Sequence, residues 1–334
     1  MDLINKSNLL RFINGGSFSN VDMMLSLIAD NITYRKNYKK IFQGISPESP
    51  VANGKLVNLS INKYKGKNPL IQSLTVEIEK LPTQFLTGVY VHGSVGTYEE
   101  VNYSDLDALI IINDIKPIDK KLFYQLLKGL SKARKWMYKM DPLQHHGWFV
   151  LLQSELKNYP QHYFPYELFE YAKSLGNYSQ QTLEICFDNS KVNYQMAIEK
   201  LLSSLIVRIK NNYRPTGMYA FKNLLSEIML LPAFYCQAKY KRGFFKAETF
   251  DLAKKDFDSN LWSAIELATN IRAQWQQNDF PSWMLYSKPF YRQRMKYYDL
   301  PLPTAISNSS NEIFYQSILV LCEAMQEKIL AFER

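Results

Sequence analysis

The sequence contains 334 residues, of which 46% are apolar, and it carries a formal net charge of +9. This apolar content excludes an intrinsically disordered chain, and the basic charge favours anionic partners such as nucleotides or nucleic acid. The cysteines Cys186, Cys236 and Cys322 are too far apart for a disulfide framework or a zinc-finger spacing, which fits a reducing compartment. With no secretory signal and no apolar run of the roughly 20 residues that span a bilayer, we expect a cytoplasmic protein.

The first half of the chain alternates between helical and strand patterns. Amphipathic spacing indicates helices, whereas runs of β-branched and aromatic residues indicate strands. The strand at 106–112 is apolar on both faces, so we place it at the centre of a sheet. In chain order, the predicted elements are a helix at 21–40, a loop at 46–55, a helix at 69–81, a strand at 85–92, a turn into a short helix at 93–100, a strand at 106–112, a long amphipathic helix at 120–140 and a strand at 147–152.

From about Val192 onward, the pattern is helical throughout. We expect Pro232 to kink the second of these helices and Asn311 to cap the last one. The predicted helices lie at 197–213, 220–239, 261–276 and 311–334, with an aromatic, proline-rich connector at 280–303. The chain therefore predicts an α+β half followed by an all-helical half.

Two acids, Asp105 and Asp107, stand at the beginning of the predicted central strand. Side chains alternate between the faces of a strand, so these two carboxylates point to the same side. Two carboxylates on one face suit Mg²⁺, which prefers few protein oxygens and completes its shell with water and substrate phosphates.

Gly93 and Ser94 stand at the end of the preceding strand, and ten residues separate Ser94 from Asp105. A glycine here allows the backbone to approach a ligand closely, and backbone N–H groups at a strand-to-helix turn bind phosphate. The Ser94 hydroxyl is a further donor to a phosphate oxygen. A phosphate cradle that faces a metal site predicts phosphoryl or nucleotidyl transfer.

The segment from His92 to Ile112 resembles the signature of the DNA-polymerase-β-like nucleotidyltransferase superfamily. The shared features are an apolar strand, Gly-Ser, about ten residues, and Asp-apolar-Asp on the next strand. The form Ser104-Asp105-Leu106-Asp107 is especially similar to the small-molecule and minimal nucleotidyltransferases. The order of helices and strands extends the resemblance, less specifically, to residues 70–152.

The resemblance implies an α+β fold with a nucleotidyltransferase-type mixed sheet and flanking helices, followed by an all-helical domain. On this basis we assign residues 1–55 to an N-terminal helical extension, 56–190 to the catalytic domain and 191–334 to the helical C-terminal domain. It also implies that Asp105 and Asp107 bind Mg²⁺, with Mn²⁺ as an alternative. Gly93, Ser94 and Ser104 would then hold a nucleoside triphosphate such as ATP.

The superfamily usually supplies a third carboxylate from a later strand, and here this chain departs from the pattern. The strand in that place carries His145 and His146. A histidine is a credible general base because its ordinary pKa is near 6.5, but it is a poorer Mg²⁺ ligand than a carboxylate. We expect His146 to be the third catalytic residue, with His145 or Asp141 as alternatives.

In this superfamily a helical domain commonly closes the cleft with basic or aromatic residues. The segment 216–250 resembles such a domain. Lys222 and Lys246 are the expected contacts to the triphosphate, and Tyr219 is a candidate to stack on the base. We therefore expect the site to lie in the crevice between the two halves.

The main hypothesis is an Mg²⁺-dependent enzyme that moves a nucleoside monophosphate from a triphosphate to an acceptor hydroxyl on a small molecule, an RNA end or a protein. The alternative is a regulatory module of the same fold that binds nucleotide without turnover, as the absent third carboxylate suggests. A plain nucleic-acid-binding protein would explain the charge but not the acids, because carboxylates repel phosphate unless a metal intervenes.

Overall fold

The computed structural model describes residues 3–14, 38–44, 54–188, 190, 192–276 and 300–333. The predicted helix at 21–40, the loop at 46–55 and the connector at 280–303 lie largely outside these residues. In the described part, the strands all fall between Lys55 and Phe187, and the elements from Tyr194 onward are helical. The α+β fold class is therefore confirmed.

The α/β half contains two sheets. Its strands are β1 (Lys55–Ser60), β2 (Asn62–Lys63), β3 (Leu86–Val91), β4 (Ala108–Ile112), β5 (Phe149–Leu152), β6 (Lys173–Leu175) and β7 (Thr182–Phe187). The larger sheet has five strands in the order β2-β6-β3-β4-β5. Strand β3 is antiparallel to β4 and β6, whereas β4 is parallel to β5. Strands β1 and β7 form a separate antiparallel pair.

The helices of this half are α1 (Lys6–Asn14), α2 (Pro69–Glu79), α3 (Gly93–Thr97), α4 (Lys120–Ala133), α5 (Lys135–Met140) and α6 (Leu168–Tyr171). The single helix predicted at 120–140 is wrong, because the chain forms α4 and α5 with a break at Arg134. The buried Arg134 side chain donates from Nε to the Ser131 carbonyl at 3.2 Å, which competes with the next backbone N–H of the helix. Its guanidinium also donates to the Asn14 carbonyl.

The central strand β4 separates two apolar layers. Ala108, Ile110 and Ile112 pack into the core that contains residues of α1, α2 and α4. Leu109 and Ile111 pack on the opposite face, together with residues of β1 and β7. This alternation matters for the site, because Asp105 and Asp107 lie two and four residues before Leu109. The alternation therefore places both acids on the same face as Leu109.

The helical half contains α7 (Tyr194–Lys210), α8 (Met218–Ile228), α9 (Leu231–Tyr240), α10 (Thr249–Lys254), α11 (Ser259–Ala273), α12 (Thr304–Ser309) and α13 (Glu312–Leu330). Pro232 lies in the first turn of α9, where proline is tolerated. The predicted kinked helix is thus two helices. The cap at Asn311 is confirmed, since its side chain accepts the Phe314 N–H at 3.2 Å.

The two halves share a packed boundary. Tyr103, Tyr138 and Leu143 of the α/β half belong to the apolar core of the helical half. On another side, Tyr171 stacks on Phe245 with ring centroids 4.2 Å apart. None of the helices in the described ranges is both long and apolar enough to cross a membrane.

Candidate active site

The site is built around the segment that leads into β4. The Nε2 atom of His146 lies 3.1 Å from Oδ2 of Asp105 and 3.0 Å from Oδ1 of Asp107. His146 reaches them because it precedes β5, which runs parallel beside β4. The three side chains are between 25% and 30% exposed, so the cluster is accessible to solvent. As expected, the two acids lie on the same side of the sheet.

Gln144, which the sequence analysis did not single out, holds this segment together. Its side chain is almost fully buried. The Oε1 atom accepts the Leu106 N–H at 3.1 Å, and Nε2 donates to the Leu106 carbonyl at 3.1 Å and to the His146 carbonyl at 2.9 Å. The Gln144 amide therefore fixes both Leu106, which lies between the two acids, and His146, which bridges them.

The imidazole of His146 forms a charged bridge between the side chains of Asp105 and Asp107. Burial lowers the pKa of His146, but its hydrogen bonds to Asp105 and Asp107 outweigh this effect and raise the pKa well above 6.5. Burial raises the pKa of Asp105, but the hydrogen bond to His146 and the charges of His146 and Lys222 hold it far below its usual value. Asp105 is therefore a carboxylate near neutral pH.

Gly93 brings the backbone of the preceding strand against Asp107. The His92 N–H donates to the Asp107 carbonyl at 3.0 Å, which extends the β3–β4 pairing to this point. Gly93 follows with φ of +62°, and a Cβ there would lie 2.5 Å from Oδ2 of Asp107. Only glycine fits such an approach without strain. Ser94 comes next, half-buried in the first turn of α3.

Ser104 has a local role. It is buried, and its hydroxyl accepts the Val101 N–H at 3.0 Å. This bond closes the turn immediately before Asp105. The hydroxyl expected to hold phosphate thus shapes the loop that presents the acids.

Lys222 is not placed for the expected contact with a triphosphate. Its side chain is only 1% exposed, and Nζ lies 2.7 Å from Oδ2 of Asp141 and donates to the Tyr103 carbonyl at 2.8 Å. Because the ammonium is buried in this ion pair, it is not available to a ligand in solution. The expected contact of Lys222 with a triphosphate is therefore wrong. Lys222 instead contributes positive charge close to Asp105 and lowers its pKa.

Lys246, in contrast, belongs to the cleft. Burial and the charge of Arg272 lower its pKa to about 8, while the charges of Asp105 and Asp107 raise it. The Lys246 ammonium thus interacts electrostatically with both acids and with a second cation. Within the described part of the chain, this ammonium forms no ion pair.

Arg272 was missed by the sequence analysis. Its guanidinium lies 4.8 Å from the ring centre of Tyr103, two residues before Asp105. Its Nε is buried and has no hydrogen-bond acceptor among the described residues. Arg272 and Lys246, both from the helical half, thus interact electrostatically with each other, and their mutual repulsion favours a bound anion.

The remaining candidates lie around this cleft. Nε2 of His145 is 3.2 Å from the Ser226 hydroxyl, and the His145 ring packs edge-on to Tyr219 with centroids 6.0 Å apart. Asp141 faces Lys222. Of the three residues considered for the third catalytic position, His146 alone forms a cluster with Asp105 and Asp107 in the described structure.

The cluster suits a divalent cation. The three ligand atoms of Asp105, Asp107 and His146 lie within 4.8 Å of one another. About an octahedral ion with bonds of about 2.1 Å, neighbouring ligands are about 3.0 Å apart, which is close to the His146–carboxylate distances. Asp105 and Asp107 also offer negative charge that a cation neutralises.

No family model matches this chain, and no curated protein matches it either. Its function is therefore argued from the site.

Proposed function

We propose that this protein is a nucleotidyltransferase that moves a nucleoside monophosphate from a nucleoside triphosphate to an acceptor hydroxyl. The observation that carries the proposal is the convergence of the Asp105 and Asp107 carboxylates, with the backbone of Gly93 packed against one of them. Two adjoining carboxylates and a glycine turn are the parts that in-line transfer at phosphorus requires.

In this proposal Asp105, Asp107 and His146 hold the divalent cation, for which Mg²⁺ is the first expectation. When bound, the cation supplies charge neutralisation on the phosphates and Lewis-acid activation. Gly93 and Ser94 contribute a strand-to-helix turn whose N–H groups and hydroxyl are donors to phosphate oxygens.

Lys246 and Arg272 complete the proposed site from the helical half. A triphosphate carries about four negative charges, and the leaving pyrophosphate gains charge as the bond to the transferred phosphorus breaks. Lys246 interacts electrostatically with Asp105 and Asp107, and Nε of Arg272 has no acceptor among the described residues, so both cations are suited to neutralise this charge. The crevice between the halves is thus the proposed nucleotide site.

A second candidate is a nucleotide-binding regulatory module without turnover. The specific observation in its favour is that an imidazole, not a carboxylate, joins Asp105 and Asp107. On that reading the crevice binds nucleotide, but the bound triphosphate remains intact.

The test is incubation of the protein with each of the four α-³²P-labelled triphosphates, Mg²⁺ or Mn²⁺, and a lysate as the source of acceptors. Pyrophosphate release and a labelled product support the transferase. Asp107→Asn removes a metal ligand with almost no change in volume, and a loss of about 4 kcal/mol in transition-state stabilisation lowers the rate about a thousandfold.

Asp251→Asn is the matched control, because Asp251 is exposed on the helical half. It should retain full transfer. If labelled triphosphate binds but no label transfers, the regulatory module is favoured. If Asp107→Asn retains the wild-type rate, the chemistry lies elsewhere.

A further inference from the structure

The strongest further observation concerns the identity of the metal at the proposed site. His146 occupies the point where both carboxylates converge, at 3.0 and 3.1 Å. A general base would instead face the acceptor hydroxyl. We infer that His146 is a metal ligand and that it makes the site selective for Mn²⁺ over Mg²⁺.

The orientation of the ring supports a ligand role. Nδ1 of His146 is 3.2 Å from the Gly147 carbonyl, and a carbonyl oxygen can only accept, so Nδ1 carries the hydrogen in this contact. Nε2 is then the atom presented to the carboxylates, which accept its hydrogen. A bound cation would take the place of that proton. A histidine ligand is commonly held in this way, with its second nitrogen donating to a backbone carbonyl.

The scaffold around His146 limits its freedom to turn away. The amide of Gln144 binds the His146 carbonyl and the Leu106 backbone together. The ring also packs against Phe149, with centroids 5.1 Å apart. Ligand and carboxylates are therefore positioned by the same buried amide, as a preorganised metal site requires.

The ligand chemistry then decides the preference. Mg²⁺ binds carboxylate and water oxygens, whereas imidazole suits softer first-row ions. When it binds a metal, the imidazole gives up its Nε2 proton, so the ligand set of two carboxylates and one imidazole carries one negative charge fewer than three carboxylates. Mn²⁺ shares the preference of Mg²⁺ for oxygen ligands and octahedral geometry, but as a first-row transition ion it accepts an imidazole more readily than Mg²⁺ does.

The inference rests on the same carboxylates as the proposed transferase, but it is tested without nucleotide. Binding of Mn²⁺ and Mg²⁺ to the full chain is measured by calorimetry, and bound Mn²⁺ is examined by electron spin echo envelope modulation, which detects a coordinated ¹⁴N. Wild-type protein should prefer Mn²⁺ and show nitrogen modulation.

His146→Ala should remove the modulation and weaken Mn²⁺ binding at least about tenfold. His146→Asp, which restores three carboxylates, should lower the ratio of Mn²⁺ to Mg²⁺ affinity at least about tenfold. The control is His145→Ala, since His145 contacts Ser226 and lies outside the cluster. It should retain the modulation, and circular dichroism checks that each variant folds.

Wild-type protein without nitrogen modulation, modulation that persists in His146→Ala, or an unchanged affinity ratio in His146→Asp would overturn the inference. If metal binding follows the expectation while no triphosphate is consumed, the metal site stands and the transferase fails. Conversely, transfer by His146→Ala at the wild-type rate, with unchanged metal affinity, would leave the transferase and remove this role for His146.

Discussion

The side chain of Gln144 forms two hydrogen bonds of 3.1 Å with the backbone N–H and carbonyl of Leu106. Leu106 separates Asp105 from Asp107, so a buried amide holds the spacing of the two acids as a neighbouring strand would. Through its third bond, to the His146 carbonyl, the same amide connects the acids to the imidazole.

Gln144→Leu should therefore destabilise the protein and disorganise the site. The change leaves the buried polar groups of Leu106 unpaired, which costs about 1–3 kcal/mol for each group. Urea denaturation should show a loss of about 2–4 kcal/mol. Gln72→Leu is the control, because Gln72 is exposed on α2 and its replacement should have little effect. Equal stability of the two variants would contradict the role of this amide.

Gly93→Ala should weaken metal binding. The left-handed backbone at Gly93 disfavours any side chain by about 1–2 kcal/mol, and the new Cβ would meet Oδ2 of Asp107 at 2.5 Å. We expect Mn²⁺ affinity to fall about ten- to a hundredfold in calorimetry, as when the support of a ligand is removed.

Gly176→Ala is matched to this change. Gly176 also has a positive φ, of +68°, but the Cβ would meet the ring of Tyr178 and no metal ligand. It should lower stability and leave the metal affinity intact. A similar loss of metal affinity in both variants would show that backbone strain, and not contact with Asp107, is responsible.

Lys246→Ala and Arg272→Ala should each weaken binding of a nucleoside triphosphate. A charge-assisted hydrogen bond contributes about 1.5–3 kcal/mol, so each loss corresponds to about ten- to a hundredfold in affinity. The loss of affinity in each variant is measured by equilibrium binding of a labelled triphosphate. Lys255→Ala removes an exposed charge from the same half and should bind normally. Normal binding by the double variant would show that these cations serve the acceptor instead.

The buried pair of Asp141 and Lys222 should give stability a distinctive dependence on pH. Burial raises the pKa of Asp141 from 3.8 to about 6, although the charge of Lys222 opposes the rise. The folded state therefore holds the proton more tightly than the unfolded state. Its contribution to stability is fully present below pH 3.8 and is lost as pH rises through about 6.

Asp141→Asn removes this titration. We expect the difference in unfolding free energy between wild type and variant to change by about 2 kcal/mol between pH 4 and pH 7, with wild type losing stability relative to the variant. Urea denaturation at several pH values measures it. A constant difference over this range would show that the carboxyl keeps its ordinary pKa.

Lys222→Met tests the same pair from the other side. It leaves the Asp141 charge buried without its partner, and breaking a buried pair costs about 3–5 kcal/mol. The loss should be largest above pH 6, where Asp141 is ionised. If Lys222→Met weakens triphosphate binding without lowering stability, Lys222 contacts the nucleotide after all.

Local sequence pattern determined much of this protein. The alternation of side chains along a strand put Asp105 and Asp107 on one side, and the apolar runs located β3, β4 and β5 to within a few residues. The left-handed backbone at Gly93 and the cap at Asn311 also depend on neighbours close in the chain. Such features can be predicted because their physical causes are local.

Tertiary structure decided the rest. Strand β6 has three residues and pairs with β3, and β1 pairs with β7 more than a hundred residues away, so these short strands depend on partners that local patterns do not reveal. The sequence treats Lys222 and Lys246 alike. Asp141, 81 residues from Lys222 in the chain, makes Lys222 a buried ion-pair partner, while Lys246 interacts electrostatically with Asp105 and Asp107. The positions of Gln144 and Arg272 likewise depend on long-range packing, because the cleft exists only where the two halves meet.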